Sequence, residues 1–155
     1  MEGTSIAPIE KTVTLNCRPE DAFRVFTEQF GDWWPIKTHS IGEADTQSAH
    51  LESRVGGRIY EVMRDGREAD WGTVTVWEPP NRVEFDWHVN PEAPGPTHVS
   101  VTFTAEGDAT RVDFEHGGWE IYGADVDAAR RDYAGEGGWT LVLSGFADRA
   151  NAQAA

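Results

Sequence analysis

The chain has 155 residues, and 27 acidic against 13 basic side chains give it a formal net charge of −14. This length suits a single domain spanning 1–155, which can bury a hydrophobic core without a metal ion or a disulfide. The negative charge repels phosphate backbones and anionic lipid headgroups, so neither nucleic acid nor a membrane surface is expected as a partner. Seven tryptophans are present. Side chains this large either pack an aromatic core or line an apolar pocket.

Signals for targeting and redox chemistry are sparse. Cys17 is the only cysteine, so no intramolecular disulfide can form, which fits a reducing compartment. Although Arg18 is adjacent, Cys17 closes an apolar strand, and we expect an inert structural thiol rather than a reactive one. Residues 1–5 lack the basic start and apolar core of a signal peptide, and no apolar run approaches the roughly 20 residues of a membrane span. We therefore expect a cytoplasmic protein.

The N-terminal part predicts a strand, a helix and an aromatic connector. Alternating apolar and polar residues predict a first strand over residues 6–17. A proline and two acidic residues at 19–21 favour a helix start. We expect this helix to end at Gly31, and its apolar stripe consists of Ala22, Phe23, Phe26 and Phe30. The connector over residues 32–35 carries two adjacent tryptophans and is expected to fold inward.

From about residue 47 onward, strand follows strand. Alternating patterns between turn signals predict strands over residues 49–55, 58–63, 69–78, 82–89, 98–105 and 112–116. Gly56-Gly57 and Asp65-Gly66 mark tight turns, and residues 90–97 form a loop that contains three prolines. The strand over 82–89 has its apolar residues on one face, which is typical of a half-buried antiparallel strand.

After residue 124 the pattern is helical, with interruptions at Gly135, Gly137 and Gly138. The apolar stripe of this last helix consists of Trp139, Val142, Leu143 and Phe146. No other element is long and apolar enough to cover the sheet. The predicted fold class is therefore α+β: a curved antiparallel sheet of about six to seven strands wrapped around a long C-terminal helix, with a helical segment after strand 1. A cleft between sheet and helix is a natural ligand site.

Short motifs in the same order along most of the chain carry a resemblance to a known family. They are Pro19-Glu20-Asp21-Ala22-Phe23, Trp33-Trp34-Pro35, Gly56-Gly57-Arg58-Ile59-Tyr60-Glu61, Trp71-Gly72-Thr73-Val74, Glu78-Pro79-Pro80, Phe85-Asp86-Trp87, Val101-Thr102-Phe103-Thr104, Thr110-Arg111-Val112, His116-Gly117-Gly118-Trp119 and Gly138-Trp139 with Leu143. The sequence resembles the START-like, helix-grip superfamily, also called SRPBCC. More closely, it is similar to the bacterial single-domain branch of the activator of heat-shock-protein ATPase homologue family.

The resemblance implies a helix-grip fold and a pocket more than a particular reaction. Relatives of this kind include lipid and hormone carriers, aromatase/cyclase domains, resistance proteins that bind a toxic metabolite, and cochaperone domains. The eukaryotic activator resembles this chain in one domain only and needs a further N-terminal domain. The cochaperone role is therefore the part of the resemblance that transfers least.

Ligand contacts are expected from the inner face of the sheet, the connector and the last helix. The candidates are Trp33, Trp34, Tyr60, Trp71, Phe85, Trp87, Val101, Phe103, Phe114, His116, Trp119, Trp139 and Leu143. For the two connector tryptophans, the alternative to a pocket wall or lid is a hydrophobic plug over the end of the grip.

Two ionisable residues fall in apolar rows, and each has two interpretations. Glu61 follows Ile59 in a strand pattern and would therefore face the same apolar side. In the structural interpretation it is paired with Arg58, Arg82 or Arg111, or a bulge turns it outward. In the functional interpretation it anchors a ligand or acts as a general acid/base. His116 is either a structural histidine or a pH-sensitive or catalytic group. No catalytic residue is assigned, and Glu61 and His116 are the only candidates.

Neither a metal nor a cofactor is expected. The remaining histidines lack metal-ligand spacing, residues 135–138 lack the setting and lysine of a phosphate-binding loop, and no G-x-S-x-G motif is present. The main prediction is binding of a small hydrophobic or aromatic molecule between sheet and helix, as a carrier, sensor or sequestering protein rather than an enzyme. The alternatives are a cyclase/aromatase-like enzyme that uses the same pocket and a cochaperone-type protein-interaction domain. Monomer and homodimer stay open.

Overall fold

A computed structural model describes residues 8–36, 38–88, 96–119, 121–122, 133 and 136–154. Seven strands form one curled antiparallel sheet with the spatial order β1-β7-β6-β5-β4-β3-β2. The strands are β1 Ile9–Leu15, β2 Thr46–Leu51, β3 Arg58–Met63, β4 Glu68–Glu78, β5 Arg82–Trp87, β6 Thr97–Glu106 and β7 Ala109–Gly117. Strands β2 to β7 each pair with the next strand along the chain, and β1 pairs with β7 at the other edge of the sheet.

Among the described residues, three α-helices accompany the sheet: α1 Pro19–Thr27, α2 Phe30–Trp33 and α3 Leu141–Ala154. A 3-10 turn, Glu43–Asp45, precedes β2, and a wide π-type turn, Glu136–Thr140, leads into α3. The predicted α+β helix-grip class is confirmed by this arrangement. Within the described ranges, no helix has both the length and the apolar character needed to cross a membrane.

The first helix ends earlier than the sequence predicts. It stops at Thr27, and Gly31 lies inside the separate helix α2 instead of ending α1. A Cβ atom on Gly31 would collide with the backbone oxygen of Ala49 in β2. The glycine therefore allows close approach of helix and strand. Phe30 keeps its buried position through α2 rather than through the stripe of α1.

Several predicted strand limits shift by a few residues. The strand predicted over 49–55 is β2, Thr46–Leu51, because residues 52–57 are used to turn the chain into β3. The strand predicted from Val112 begins at Ala109, since Ala109 pairs with Glu106 across a tight hairpin. Residues 16–17 form a bend after β1. Predictions for residues 6–7, 89–95 and 124–135, apart from Tyr133, lie outside the described residues.

The core lies between the concave face of the sheet and the helices. Alternate residues of β5, β6 and β7 are buried as the period-2 pattern predicts. Phe26 of α1 joins the layers, because its ring lies 6.1 Å from Phe103 of β6 and 5.2 Å from Phe146 of α3. The two helices therefore close one end of the grip with aromatic contacts.

Candidate functional site

A cavity of about 380 Å³ opens between the sheet and the start of α3. This volume falls within the roughly 300–1,000 Å³ range of small-molecule sites. The described residues that line it are Trp34, Thr38, His39, Ser40, Ile41, Trp87, Tyr133, Gly138, Trp139 and Val142. Rings and aliphatic side chains predominate, and apart from the phenol of Tyr133 the hydroxyl and imidazole groups come from one short segment, residues 38–40.

Three indole rings form the aromatic wall of the cavity. The ring of Trp34 lies 5.5 Å from that of Trp87 and 5.8 Å from that of Trp139, and the last two are 5.4 Å apart. Behind them, Trp71 is 5.2 Å from Trp34 and fully buried. Tyr133 stacks on Trp139 at 5.8 Å. These spacings are those of favourable tilted and edge-to-face aromatic pairs.

The two connector tryptophans have different positions. Trp33 is the last residue of α2, and its indole nitrogen donates to the carbonyl of Val25 at 2.8 Å, which fixes it against α1. Trp34 leaves the helix with extended backbone and reaches the cavity. Its indole donates to the carbonyl of His39 at 2.7 Å. Trp33 is therefore a buried hydrophobic plug against α1, whereas Trp34 forms part of the cavity wall. Each of the two interpretations from the sequence thus applies to one of the two residues.

Glu61 holds the segment that forms the polar side of the cavity. Its Oε1 accepts from the backbone N–H of Ile41 at 2.6 Å and from the indole of Trp71 at 2.6 Å. Its Oε2 accepts from the backbone N–H of Gly42 at 2.7 Å and from the hydroxyl of Thr46 at 3.0 Å. Four donors use the acceptor capacity of an ionised carboxylate. Glu61 thereby ties residues 41–46 to the sheet and to the tryptophan cluster.

The prediction that Glu61 pairs with an arginine is wrong, and so is the prediction that a bulge turns it outward. Glu61 is fully buried, and its partners are neutral donors. Arg58 pairs instead with Glu68 and Asp70 on the outer face, at 2.9 and 2.7 Å. Arg82 and Arg111 likewise form ion pairs with other carboxylates. Backbone amides 19 and 20 residues away satisfy the buried charge, which a local sequence pattern does not reveal.

His116 lies under the same cavity wall in a chain of hydrogen bonds. The indole of Trp139 donates to its Nδ1 at 2.8 Å, which leaves the proton of the neutral ring on Nε2. That nitrogen lies 2.6 Å from the hydroxyl of Thr97, which donates in turn to the carbonyl of Trp87 at 3.2 Å. Both tryptophans at the ends of this chain line the cavity. His116 thus positions the wall without facing the ligand space.

The electrostatics of His116 agree with a structural role. Burial lowers the pKa of its imidazole to about 3, and the charge of His98 adds to the effect. A proton on Nδ1 would also face the indole hydrogen of Trp139. The imidazole is therefore neutral at ordinary pH.

Of the residues predicted to contact a ligand, Trp34, Trp87 and Trp139 line the cavity. Most of the others are buried in the core and do not line the cavity: Trp33, Trp71, Phe85, Val101, Phe103, Phe114, His116, Trp119 and Leu143. Tyr60 is on the opposite face of the sheet, where its ring lies 5.1 Å from that of His50 and the Arg58 guanidinium lies 4.2 Å from its ring centroid. Since neighbours in a strand face opposite sides, an inward Glu61 places Tyr60 outward.

Sequence reasoning missed the cavity residues at 38–41, together with Tyr133 and Val142. Val142 belongs to the stripe of the last helix, so its type and spacing carried a usable signal. The segment 38–41 has no periodicity, and it reaches the cavity because Glu61 and Trp34 bind its backbone.

Metal ligation and thiol chemistry find little support in the described part of the chain. No group of three or more His, Cys, Asp or Glu side chains there is placed to hold a metal ion. Cys17 is buried, and burial together with the charge of Asp21 raises the pKa of its thiol. A thiol with a raised pKa is a weak nucleophile at neutral pH.

With the fold and cavity in view, the family assignment follows from a match over most of the chain. The model of the "Activator of Hsp90 ATPase homolog 1-like protein" family matches residues 16–151. The chain belongs to this family. Its fold is a ligand-binding scaffold. No curated protein has a significant match to the sequence.

Solved structures extend the comparison over nearly the whole chain. An anthrahydroquino-gamma-pyrone synthase, Txn09, complexed with SUM, is 30% identical, with 93% of this chain and 97% of that chain covered and a TM-score of 0.62. The self-sacrificing resistance protein CalC from Micromonospora echinospora is 25% identical, with 95% and 96% covered and a TM-score of 0.68. The Aha1 dimer from Colwellia psychrerythraea, at 19% identity, 94% and 97% coverage and a TM-score of 0.62, shows the shared fold.

A protein-interaction role would favour a broad exposed apolar patch. The large hydrophobic side chains exposed among the described residues are Val55, Ile121 and Leu141, at 62%, 40% and 44%. Val55 lies in the turn before β3 and Leu141 at the start of α3. Singly placed residues of this kind are ordinary on a protein surface.

Proposed function

We propose that this protein binds a small, flat aromatic molecule in the cavity between the sheet and α3, as a carrier, sensor or sequestering protein. The observation that carries the proposal is the wall of three indoles, Trp34, Trp87 and Trp139, around a space of about 380 Å³. Aromatic faces attract a flat π-system through stacking and edge-to-face contacts in addition to the hydrophobic effect.

The polar groups of the cavity favour a ligand with a polar edge. Thr38, His39 and Ser40 are consecutive, the phenol of Tyr133 adds one further hydroxyl, and Ile41 and Val142 continue the apolar surface. A molecule that is apolar on its faces and polar at one end matches this distribution.

Two similar proteins lend further support. The 30% identical relative is a synthase whose name denotes a fused ring system, and the 25% identical relative is a resistance protein. The name of the synthase is compatible with a scaffold that encloses a fused-ring compound, and for this chain it favours an aromatic ligand over an aliphatic one. The description of the resistance protein is compatible with a sequestering role.

The expected affinity sets the experimental range. A tricyclic ligand of about 14 non-hydrogen atoms, at roughly 0.5 kcal/mol per atom, would bind with about 7 kcal/mol, or a Kd near 10 µM. Titrations with fluorene and 9-fluorenone should therefore saturate at tens of micromolar. Decanoic acid, which has a similar number of heavy atoms but no ring, should bind more weakly by at least about tenfold.

The test uses tryptophan fluorescence and calorimetry with two matched variants. Val142→Phe places a ring inside the cavity, whereas Leu141→Phe adds the same ring at the neighbouring position, which is 44% exposed. We expect the first variant to lose tricyclic binding and the second to retain it, with both still folded by circular dichroism. Equal binding by both variants, or no binding by the unmodified protein, would contradict the proposal.

A second candidate function, proton-transfer catalysis on the bound molecule, is favoured by one observation. His39 lines the cavity, its Nδ1 lies 2.7 Å from the hydroxyl of Thr38, and its carbonyl is held by Trp34. A positioned imidazole is the commonest general acid or base. Glu61 and His116, the catalytic candidates considered from the sequence, are buried and already bonded within the protein.

Exchange of hydrogen for deuterium at the carbon next to a carbonyl tests this second candidate. The imidazole would remove a proton from the α-carbon of bound 1-tetralone, and a deuteron from solvent D₂O would replace it. His39→Gln should abolish the catalysed exchange without changing the Kd, whereas Val142→Phe should abolish both. Exchange at the uncatalysed rate in the unmodified protein would leave binding as the function and reject catalysis on this class of ketone.

A further inference from the structure

The indole N–H groups around the cavity are committed to acceptors within the protein, with one exception. Hydrogen bonds of 2.6–2.8 Å join them to backbone carbonyls, a carboxylate or an imidazole for Trp33, Trp34, Trp71, Trp119 and Trp139. Trp87 is only 2% exposed, and its Nε1 has no hydrogen-bond partner in the described part of the chain. It is also one of the three indoles that line the cavity.

A buried donor without an acceptor is rare because its lost hydration is not repaid. The other such atom among the described residues, Arg82 Nε, has carboxylate oxygens of Glu78 and Glu84 at 3.4 and 3.2 Å. Trp87 has rings around it instead, with Trp34, Trp71 and Trp139 at centroid distances of 5.4 to 5.9 Å. An acceptor for its indole hydrogen is therefore missing from the surrounding wall.

The backbone of Trp87 is nevertheless firmly held. It pairs with Gly72 of β4 and with Thr97 of β6, and its carbonyl accepts from the Thr97 hydroxyl at 3.2 Å. The uncommitted hydrogen thus sits on a side chain anchored at the centre of the sheet. Such a preorganised donor loses little freedom when an acceptor arrives.

We propose that the ligand carries an acceptor oxygen, the carbonyl of an aryl ketone or quinone, and that Trp87 Nε1, which is buried in the ligand-free wall, donates its hydrogen bond to this oxygen once the ligand displaces a neighbouring ring. The inference rests on the proposed function, and it adds the chemical class of the ligand. Of the three wall indoles, Trp34 and Trp139 have their hydrogens bound to His39 and His116. Trp87 is the wall indole that can distinguish a carbonyl compound from the parent hydrocarbon.

The test compares two ligands that differ by one carbonyl group. Fluorene and 9-fluorenone share a flat tricyclic skeleton, and only 9-fluorenone has an acceptor oxygen. Trp87→Phe keeps an aromatic ring and removes the N–H. Trp77→Phe is the matched control, because Trp77 packs on Phe23 at 5.0 Å and does not line the cavity.

We expect the ratio of the fluorene Kd to the 9-fluorenone Kd to fall about tenfold in Trp87→Phe, as for the loss of one buried hydrogen bond. The loss of ring area affects both ligands and cancels in this ratio. In Trp77→Phe the ratio should stay at the value of the unmodified protein.

Nuclear magnetic resonance of the unmodified protein gives a second measurement that does not require the variant to fold. The indole Nε1–H resonance of Trp87, assigned by selective labelling, should move downfield with 9-fluorenone and should not with fluorene. If both ligands bind but the Kd ratio is unchanged in Trp87→Phe, the inference is wrong and the proposed function stands. The same holds if both ligands bind the unmodified protein and 9-fluorenone does not shift the Trp87 resonance. Absence of binding by either ligand would overturn both.

Discussion

Nδ1 of His116 accepts the indole hydrogen of Trp139 at 2.8 Å, and this bond joins the cavity wall to the buried face of β7. Through Thr97 the same imidazole reaches the carbonyl of Trp87 on the other side of the wall. One buried histidine therefore links the indole of Trp139 to the backbone of Trp87, and both residues line the cavity. Its effect on ligand binding is indirect, through the geometry of the wall.

Replacing His116 with phenylalanine should destabilise the fold. The ring would fill the space, but the indole hydrogen of Trp139 and the hydroxyl of Thr97 would lose their partner. Leaving such buried groups unsatisfied costs about 2–4 kcal/mol in the free energy of unfolding. Urea denaturation measures the change, and His50→Ala on the exposed face of β2 should differ from the unmodified protein by less than about 0.5 kcal/mol. Equal stabilities of the two variants would contradict the bonding chain.

The low pKa of His116 makes a signed prediction for the pH dependence of stability. Its pKa is about 3 in the folded protein, below the usual 6.5, chiefly because of burial. Between these values the unfolded chain binds a proton that the folded chain does not. Stability should therefore fall as pH decreases from 6.5 towards 3, by at most about 1.4 kcal/mol per pH unit from this group.

Comparison with His116→Phe isolates this contribution. His98, paired with Glu84 and Asp86, has a raised pKa and acts in the opposite sense, since its stabilising charge is lost as pH rises through the raised value. His98 is present in both proteins, so its contribution to the pH dependence of stability cancels in the comparison. The unmodified protein should show a steeper loss of stability than the variant between pH 6 and pH 4. Identical slopes would show that His116 takes up no proton on unfolding.

Glu61→Gln tests the carboxylate that holds residues 41–46. A glutamine amide has one acceptor oxygen, so two of the four donors would face its NH₂ group. We expect a loss of about 2–3 kcal/mol in the free energy of unfolding and faster amide exchange at Ile41 and Gly42. Glu115→Gln, on the exposed side of β7, is the matched control. Unchanged exchange at both amides would argue against Glu61 as the anchor of this segment.

Gly31→Ala should disturb the cavity from a distance. The added Cβ would meet the backbone oxygen of Ala49, so α2 must move away from β2 and take Trp34 with it. We expect lower thermal stability and several-fold weaker binding of 9-fluorenone. At Gly117 the nearest atom to such a Cβ is Cβ of Pro8 at 3.5 Å, an ordinary contact, and Gly117→Ala should behave like the unmodified protein. Equal affinities of the two variants for 9-fluorenone would show that the position of α2 does not affect ligand binding.

The sheet and its buried face could be predicted because period-2 alternation is a local property. Phe85 and Trp87 face the core as predicted, and so do Val101 and Phe103. The same rule would have placed Tyr60 outward once Glu61 was placed inward. Residue type suggested Tyr60 as a ligand contact, whereas strand geometry puts it on the other face.

The polar side of the cavity could not be predicted, because long-range hydrogen bonds create it. Glu61 binds amides 19 and 20 residues earlier, and no spacing rule links a strand carboxylate to an irregular segment. The separate positions of Trp33 and Trp34, by contrast, follow from a local signal. A proline disfavours helical backbone at the residue before it, so α2 ends at Trp33, and Trp34, which precedes Pro35, has extended backbone.

A crystal structure of the protein grown with 9-fluorenone would locate the ligand. We expect electron density for a flat tricyclic molecule in the cavity, in contact with the rings of Trp34, Trp87 and Trp139 and with residues 38–41. An empty cavity at saturating ligand, or density only on the outer surface of the sheet, would contradict it.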